Sequence, residues 1–139
     1  MQYWLFKSEP NTWSWDDQTN KGEVGEEWDG VRNYQARNFM RQMEIGDRGF
    51  FYHSMKEKSV VGIVEVIAKS HPDSTTEDPR WDCVDIKAVA PVARPVTLDE
   101  IKADPRLGDM VLVKNSRLSV QPVTAAEWQI VCAMAGVDP

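Results

Sequence analysis

The chain opens on a stretch of alternating character. Trp4, Phe6 and Ser8 fall on one side of Tyr3–Ser8, and Tyr3, Leu5 and Lys7 on the other. A period of two predicts a β-strand, because successive side chains of a strand point to opposite faces. Pro10 ends it. From Thr12 to Gly30 the residues mix Trp, Asp, Gly and Glu without a period, which predicts loop with one short helix capped by Ser14. From about Asn33 or Tyr34 to Met43 the apolar positions Ala36, Phe39, Met40 and Met43 recur at helical spacing, while Arg37 and Arg41 share another face.

After the Gly46-Asp47 turn, Arg48–Ser54 and Val60–Ser70 read as two strands of a hairpin. His71–Asp82 reads as polar loop, and Cys83–Val92 as a further strand. Thr97 with Glu100, and Thr124 with Glu127, form capping boxes that open two more helices. Pro105 stops the first, and Gly136 stops the second. Met110–Val113 and Leu118–Val120 complete the set as short strands. About six strands and three or four helices, without βαβ alternation, predict an α+β fold: a small curled sheet or barrel with helices packed outside, in a single domain over 1–139.

Length agrees with that. At 139 residues the chain fits one domain with one real core. No apolar run approaches the ~18–20 residues that a membrane span needs. The start, MQYWLFKSEP, lacks the basic and apolar regions of a signal peptide. Cys83 and Cys132 are expected to be free thiols, and the expected location is cytoplasmic.

The net charge of −6 argues against a general nucleic-acid coat, since binding to phosphates without sequence preference needs a basic field. The charge is uneven, however. Residues 31–60 carry six basic and three acidic side chains, a net of +3. Tryptophan is the compositional outlier, with six copies. Some belong in the core, as Trp4 and Trp128 do on their strand and helix faces. Trp also lines clefts, where it offers a large stiff stacking face.

Several chemistries find no support. His53, His71, Cys83 and Cys132 are scattered and match no metal-ligand spacing, so no metal and no cofactor is expected. Neither glycine-rich phosphate-binding loop motif is present. His53 and Ser54 are adjacent in a strand and point to opposite faces, so they cannot form a nucleophile–base pair with each other, and only a remote partner for His53, such as Ser8 or Ser119, stays open.

Four segments gather small polar, amide, basic and aromatic residues at element ends: Lys7–Pro10, Trp28–Tyr34, Phe51–Ser54 and Arg117–Val120. Binding residues concentrate at such places. This inventory suits a planar heterocycle. Trp28 or Tyr52 can stack on its face, and Asn33, Ser8 and Ser54 can read its edge. Arg32, Arg37, Arg41 and Arg117 can hold flanking phosphates. These are the requirements of an unstacked or flipped base.

The motifs YWLFKSEP (Tyr3–Pro10), WDGVRNYQARNFMR (Trp28–Arg41), GDRGFFYHS (Gly46–Ser54), GIVEV (Gly62–Val66), HPD (His71–Asp73) and RLSVQPV (Arg117–Val123) together resemble the EVE domain over about residues 1–135. The resemblance implies a PUA-like fold, a curved β-barrel with flanking helices, and kinship with YTH domains. It implies recognition of modified bases, chiefly modified cytosines in DNA, with modified RNA as a further possibility. By this likeness Lys7 and Ser8 stand beside the base, Trp28 stacks on it and Asn33 reads its edge. Tyr52, His53 and Ser54 border the pocket, and Arg117 and Ser119 match the RLSV segment. Val31 and Leu118, inside two of the motifs, complete the expected site. The expected partner is nucleic acid carrying a modified base, or the free modified nucleotide. Two alternatives stand: an enzyme acting on a modified nucleotide or nucleoside with His53 or Glu9 as general base, or an RNA-binding module without modification specificity.

Overall fold

The structure is a computed structural model that describes residues 1–139. Its six strands are β1 (Tyr3–Ser8), β2 (Glu26–Glu27), β3 (Arg48–His53), β4 (Ser59–Pro72), β5 (Asp82–Thr97) and β6 (Val120–Val123). They form one open sheet in the order β2-β5-β4-β3-β1-β6. Only β1 and β3 run parallel; every other pair is antiparallel. The β3–β4 ladder shifts register between Phe51 and Tyr52, and the β4–β5 ladder shifts at four places. Such bulges bend the strands and increase their twist.

Five helices flank the sheet: α1 (Trp15–Asn20), α2 (Tyr34–Gln42), α3 (Leu98–Ala103), α4 (Val111–Lys114) and α5 (Ala125–Ala135). Ser14, Thr97 and Thr124 each cap a helix with a complete capping box. Gly136 ends α5 in the left-handed conformation that favours glycine. Met110–Val113, expected as a strand, lies in and around α4. Four apolar residues in a row carry no period that separates strand from helix.

Alternation along the strands divides the core in two. Leu5, Phe50, Tyr52 and Ile63 face α5, where Trp128, Val131 and Cys132 are buried. Trp128 stacks on both Tyr3 and Phe50, with centroids 4.4 and 4.2 Å away. Trp4, Phe6, Phe51 and Val64 face the other way and pack on Ala36, Met40 and Met43 from α2. This second face also carries Trp28 and Val31, so the candidate site is built on it.

Candidate functional site

A cleft of about 480 Å³ opens on the second face. That size falls in the ordinary range for a small-molecule site. Trp28 is 8% exposed and forms part of its wall. Its backbone N–H donates to the Val84 carbonyl at 2.8 Å, and its ring meets Phe6 and Phe51 edge to face at 5.4 and 5.6 Å. The indole is thus fixed by its neighbours while the residue lines the cleft.

Trp13 supplies a second aromatic wall. The carbonyl of Glu9 accepts the N–H groups of both Thr12 and Trp13 at 2.9 Å, closing a turn just after β1. The Ser8 hydroxyl donates to the Trp13 carbonyl. The Trp13 indole N–H donates to Gln18 Oε1 at 2.9 Å, and buried Gln18 donates onward to the Ile86 carbonyl. Trp13 is therefore held by the turn, by β1 and by α1 together.

The polar lining is acidic. Glu9, Glu26, Glu27 and Asp29 face two cations, Lys7 and Arg32. The Lys7 ammonium donates to the Ser116 carbonyl at 2.7 Å, and partial burial, then Lys58, lower its pKa. Burial, then the carboxylates of Asp73, Glu27 and Glu26, raise the pKa of Asp29 against the opposing pull of Arg32. Carboxylates are acceptors, able to take hydrogen bonds from an amino group.

The segment Trp28–Arg32 is held by Asp73. This buried carboxylate accepts the Gly30 N–H at 2.8 Å, the Arg32 guanidinium at 3.1 Å, and the N–H and hydroxyl of Thr75. Burial works against its charge, but these donors outweigh it and pull its pKa down to about 2. Gly30 has φ +78°, a conformation costly for any residue with a Cβ.

Six of the residues expected from sequence meet at the cleft: Lys7, Ser8, Trp28, Val31, Arg32 and Ser119. The others lie elsewhere. Tyr52 does not border the cleft. It is 2% exposed in the opposite core, because alternation along β3 turns Phe51 toward Trp28 and Tyr52 away. Asn33 caps α2, its Oδ1 accepting the Ala36 N–H at 2.9 Å. The Nε2 of His53 accepts the Trp15 N–H at 3.1 Å and so is engaged rather than free as a base. Ser54 donates its backbone N–H to the Ser8 carbonyl, and Leu118 is buried behind the cleft. Arg117 is exposed outside it, its backbone N–H reaching Asn115. Arg37 and Arg41 lie along α2, and Arg41 pairs with Asp82 at 2.6 Å. Sequence reasoning missed Trp13, Thr12, Glu26, Glu27 and Asp29 as lining residues. The aperiodic mixture of Trp and carboxylates from Thr12 onward was the available signal.

The fold also gathers what the sequence scatters. Glu27, His71, Cys83 and Asp85 bring one donor atom each to within 4.8 Å of one another. These residue types could hold a divalent cation. Hydrogen bonds already account for the arrangement, however. His71 Nε2 lies 2.7 Å from Asp85, and Ser74 donates to Glu27 at 2.6 Å.

The family model for the EVE domain matches residues 2–134. The chain belongs to the EVE-domain family. Protein Atu2648 from Agrobacterium tumefaciens is 61% identical, with a TM-score of 0.98 over all of this chain and 97% of its own. Human THYN1, solved in complex with DNA containing 5-methylcytosine, is 33% identical, with a TM-score of 0.92 over the whole of both chains. The YTH domain of Zygosaccharomyces rouxii MRB1, solved with N6-methyladenosine RNA, shares the fold alone: TM-score 0.58 at 15% identity, over 96% of this chain and 86% of its own. In this EVE domain the expected PUA-like barrel takes the form of an open, bulged sheet.

Proposed function

We propose that this EVE domain is a non-catalytic reader that holds one modified base, a modified cytosine of DNA, between Trp13 and Trp28. The observation that carries the reading is the pairing of two tryptophans with an acceptor-rich lining in a cleft about the size of one nucleotide. Two indoles offer stacking faces, worth ~1–3 kcal/mol per base. The carboxylates suit the amino group of cytosine. That human THYN1 was solved with DNA containing 5-methylcytosine supports the same ligand class. Of the two bases that an enzymatic reading names, His53 is engaged by Trp15 and Glu9 lines the cleft.

The net charge of −6 and the acidic lining keep backbone affinity modest, so selectivity rests on the pocket. The test is titration of matched oligonucleotides, with 5-methylcytosine or plain cytosine at one position, against wild type and Trp28→Ala. Wild type is expected to prefer the modified strand. Trp28→Ala is expected to bind it roughly ten- to a hundredfold more weakly. Equal affinity of wild type for the two strands would refute the reading, and conversion of the ligand during long incubation would favour an enzyme.

A further inference from the structure

Beside the cleft, side chains of α2 and of the β4–β5 connection build an ordered stack. Tyr34 lies against Trp81, centroids 5.0 Å apart and planes 27° from parallel. The guanidinium carbon of Arg37 sits 4.8 Å from the Tyr34 centroid, and those of Arg32 and Arg80 sit 5.5 and 6.0 Å from Trp81. Arg80 also donates to the Tyr34 hydroxyl at 3.2 Å, and Arg37 donates to the Arg80 carbonyl at 3.0 Å. Tyr34 is half exposed, although it is a large aromatic at the start of a helix.

The charges are not all balanced. Arg32 pairs with buried Asp73, and Arg80 with Asp78. Arg37 pairs with no carboxylate: its partners are the Arg80 carbonyl and Asn38 Oδ1. An uncompensated guanidinium on the surface of an acidic chain, held in place by a ring and a carbonyl, is a prepared partner for a phosphate. Preorganisation lowers the entropy cost of binding. Arg32 belongs both to this stack and to the cleft lining, so the two features adjoin.

We propose that the stack is a phosphate-binding subsite for the strand that carries the cleft base. Arg37 is the phosphate ligand, and Tyr34, Trp81 and Arg80 are positioning residues. The proposal rests on the base-reader reading and extends it from the base to its backbone. It also separates the arginines of α2 by role: Arg37 binds phosphate, whereas Arg41 is committed to Asp82.

The experiment compares 5-methyldeoxycytidine, which has no phosphate, with a short DNA strand carrying the same base. Wild type, Arg37→Gln and Trp81→Ala are titrated at several salt concentrations. Both variants are expected to keep the nucleoside affinity of wild type within about twofold. They are expected to bind the strand more weakly, about three- to tenfold at low salt. The slope of log affinity against log salt should become shallower by about 0.7, the amount that neutralising a single phosphate of one strand contributes. A wild-type slope in both variants overturns the subsite. Arg37 is only partly buried and makes no ion pair, so Arg37→Gln is expected to fold normally and a folding defect in Trp81→Ala does not blur the result. Inorganic phosphate is the competing source: if it displaces the strand from wild type at millimolar concentration and not from Arg37→Gln, the site takes free phosphate, and the strand-specific proposal fails. If wild type shows no preference for the modified base, the reader hypothesis falls, while the slope comparison still judges the subsite.

Discussion

Asp73 and Gly30 stand 43 positions apart in the chain, yet the carboxylate of one accepts the backbone N–H of the other at 2.8 Å. The bond joins the start of the β4–β5 connection to the loop that carries Trp28. It is one of four donors gathered on a single buried carboxylate, so the shape of the cleft depends on Asp73 without any need for Asp73 to touch a ligand.

Asp73→Ala is therefore expected to cost about 2–3 kcal/mol, the scale for losing hydrogen bonds to a charged group and leaving its donors unpaired. Chemical denaturation measures it. The carboxyl titrates at about 2 when folded, below its ordinary value. Its contribution is therefore present above the unfolded pKa and is lost as pH falls through the folded one. The wild-type and variant stability curves should converge in acid, and a constant gap down to the lowest pH would contradict the assignment.

The two histidines are expected to titrate in opposite directions. Burial holds His53 below the ordinary value, with Asp16 opposing. Its Nε2 must stay unprotonated to accept the Trp15 N–H. At His71 burial also works against charge, but the bond to Asp85, its charge, the Pro72 carbonyl and Glu27 together raise the pKa. His53 thus contributes stability that is present above about 6.5 and lost as pH falls through its folded value. His71 contributes stability that is present below about 6.5 and lost as pH rises through its own. With only two histidines in the chain, proton NMR should show one midpoint on each side of 6.5, and His71→Asn should remove the higher one. Two coincident midpoints would count against both contacts.

Trp13→Ala should weaken binding of the modified base by about tenfold or more, as removal of one stacking wall does. Because Trp13 is only partly buried at the margin of the second core, whereas Trp4 is fully buried within it, the melting temperature of Trp13→Ala should move less than that of Trp4→Ala. Unchanged affinity would leave Trp28 as the single stacking face.

Both thiols should be silent in the native protein. Cys83 and Cys132 are fully buried, and burial raises both pKa values, that of Cys132 to about 11. Glu27 and nearby aspartates add to the effect at Cys83. Labelling with a thiol reagent at pH 8 is expected only after denaturant is added. Rapid labelling of Cys83 in buffer would mean that the β2 edge opens.

How far the sequence anticipated this arrangement varies by element. The capping boxes at Thr97 and Thr124, the Ser14 cap and the alternating β1 were legible because each is a local pattern with a local physical cause. β2 was not. Two glutamates carry no hydrophobic alternation, and they become a strand only because β5 pairs with them. Trp28 was legible through its motif. Trp13 was not, since its place at the cleft is fixed by a turn, by Ser8 and by Gln18 acting at once. Tyr52 was misplaced because proximity to a motif says less than parity along the strand: its neighbour Phe51 has the face that meets Trp28.

The dipeptide Glu26-Glu27 also bears on how the molecule meets its own copies. It forms the outermost strand at one side of the sheet and is too short, and too strongly charged, to template another chain. A passing β-segment that met β2 would find two carboxylates and a ladder only two residues long. The residues that make the cleft acidic thereby also discourage pairing at that edge, and neutralising them would carry a cost in solubility.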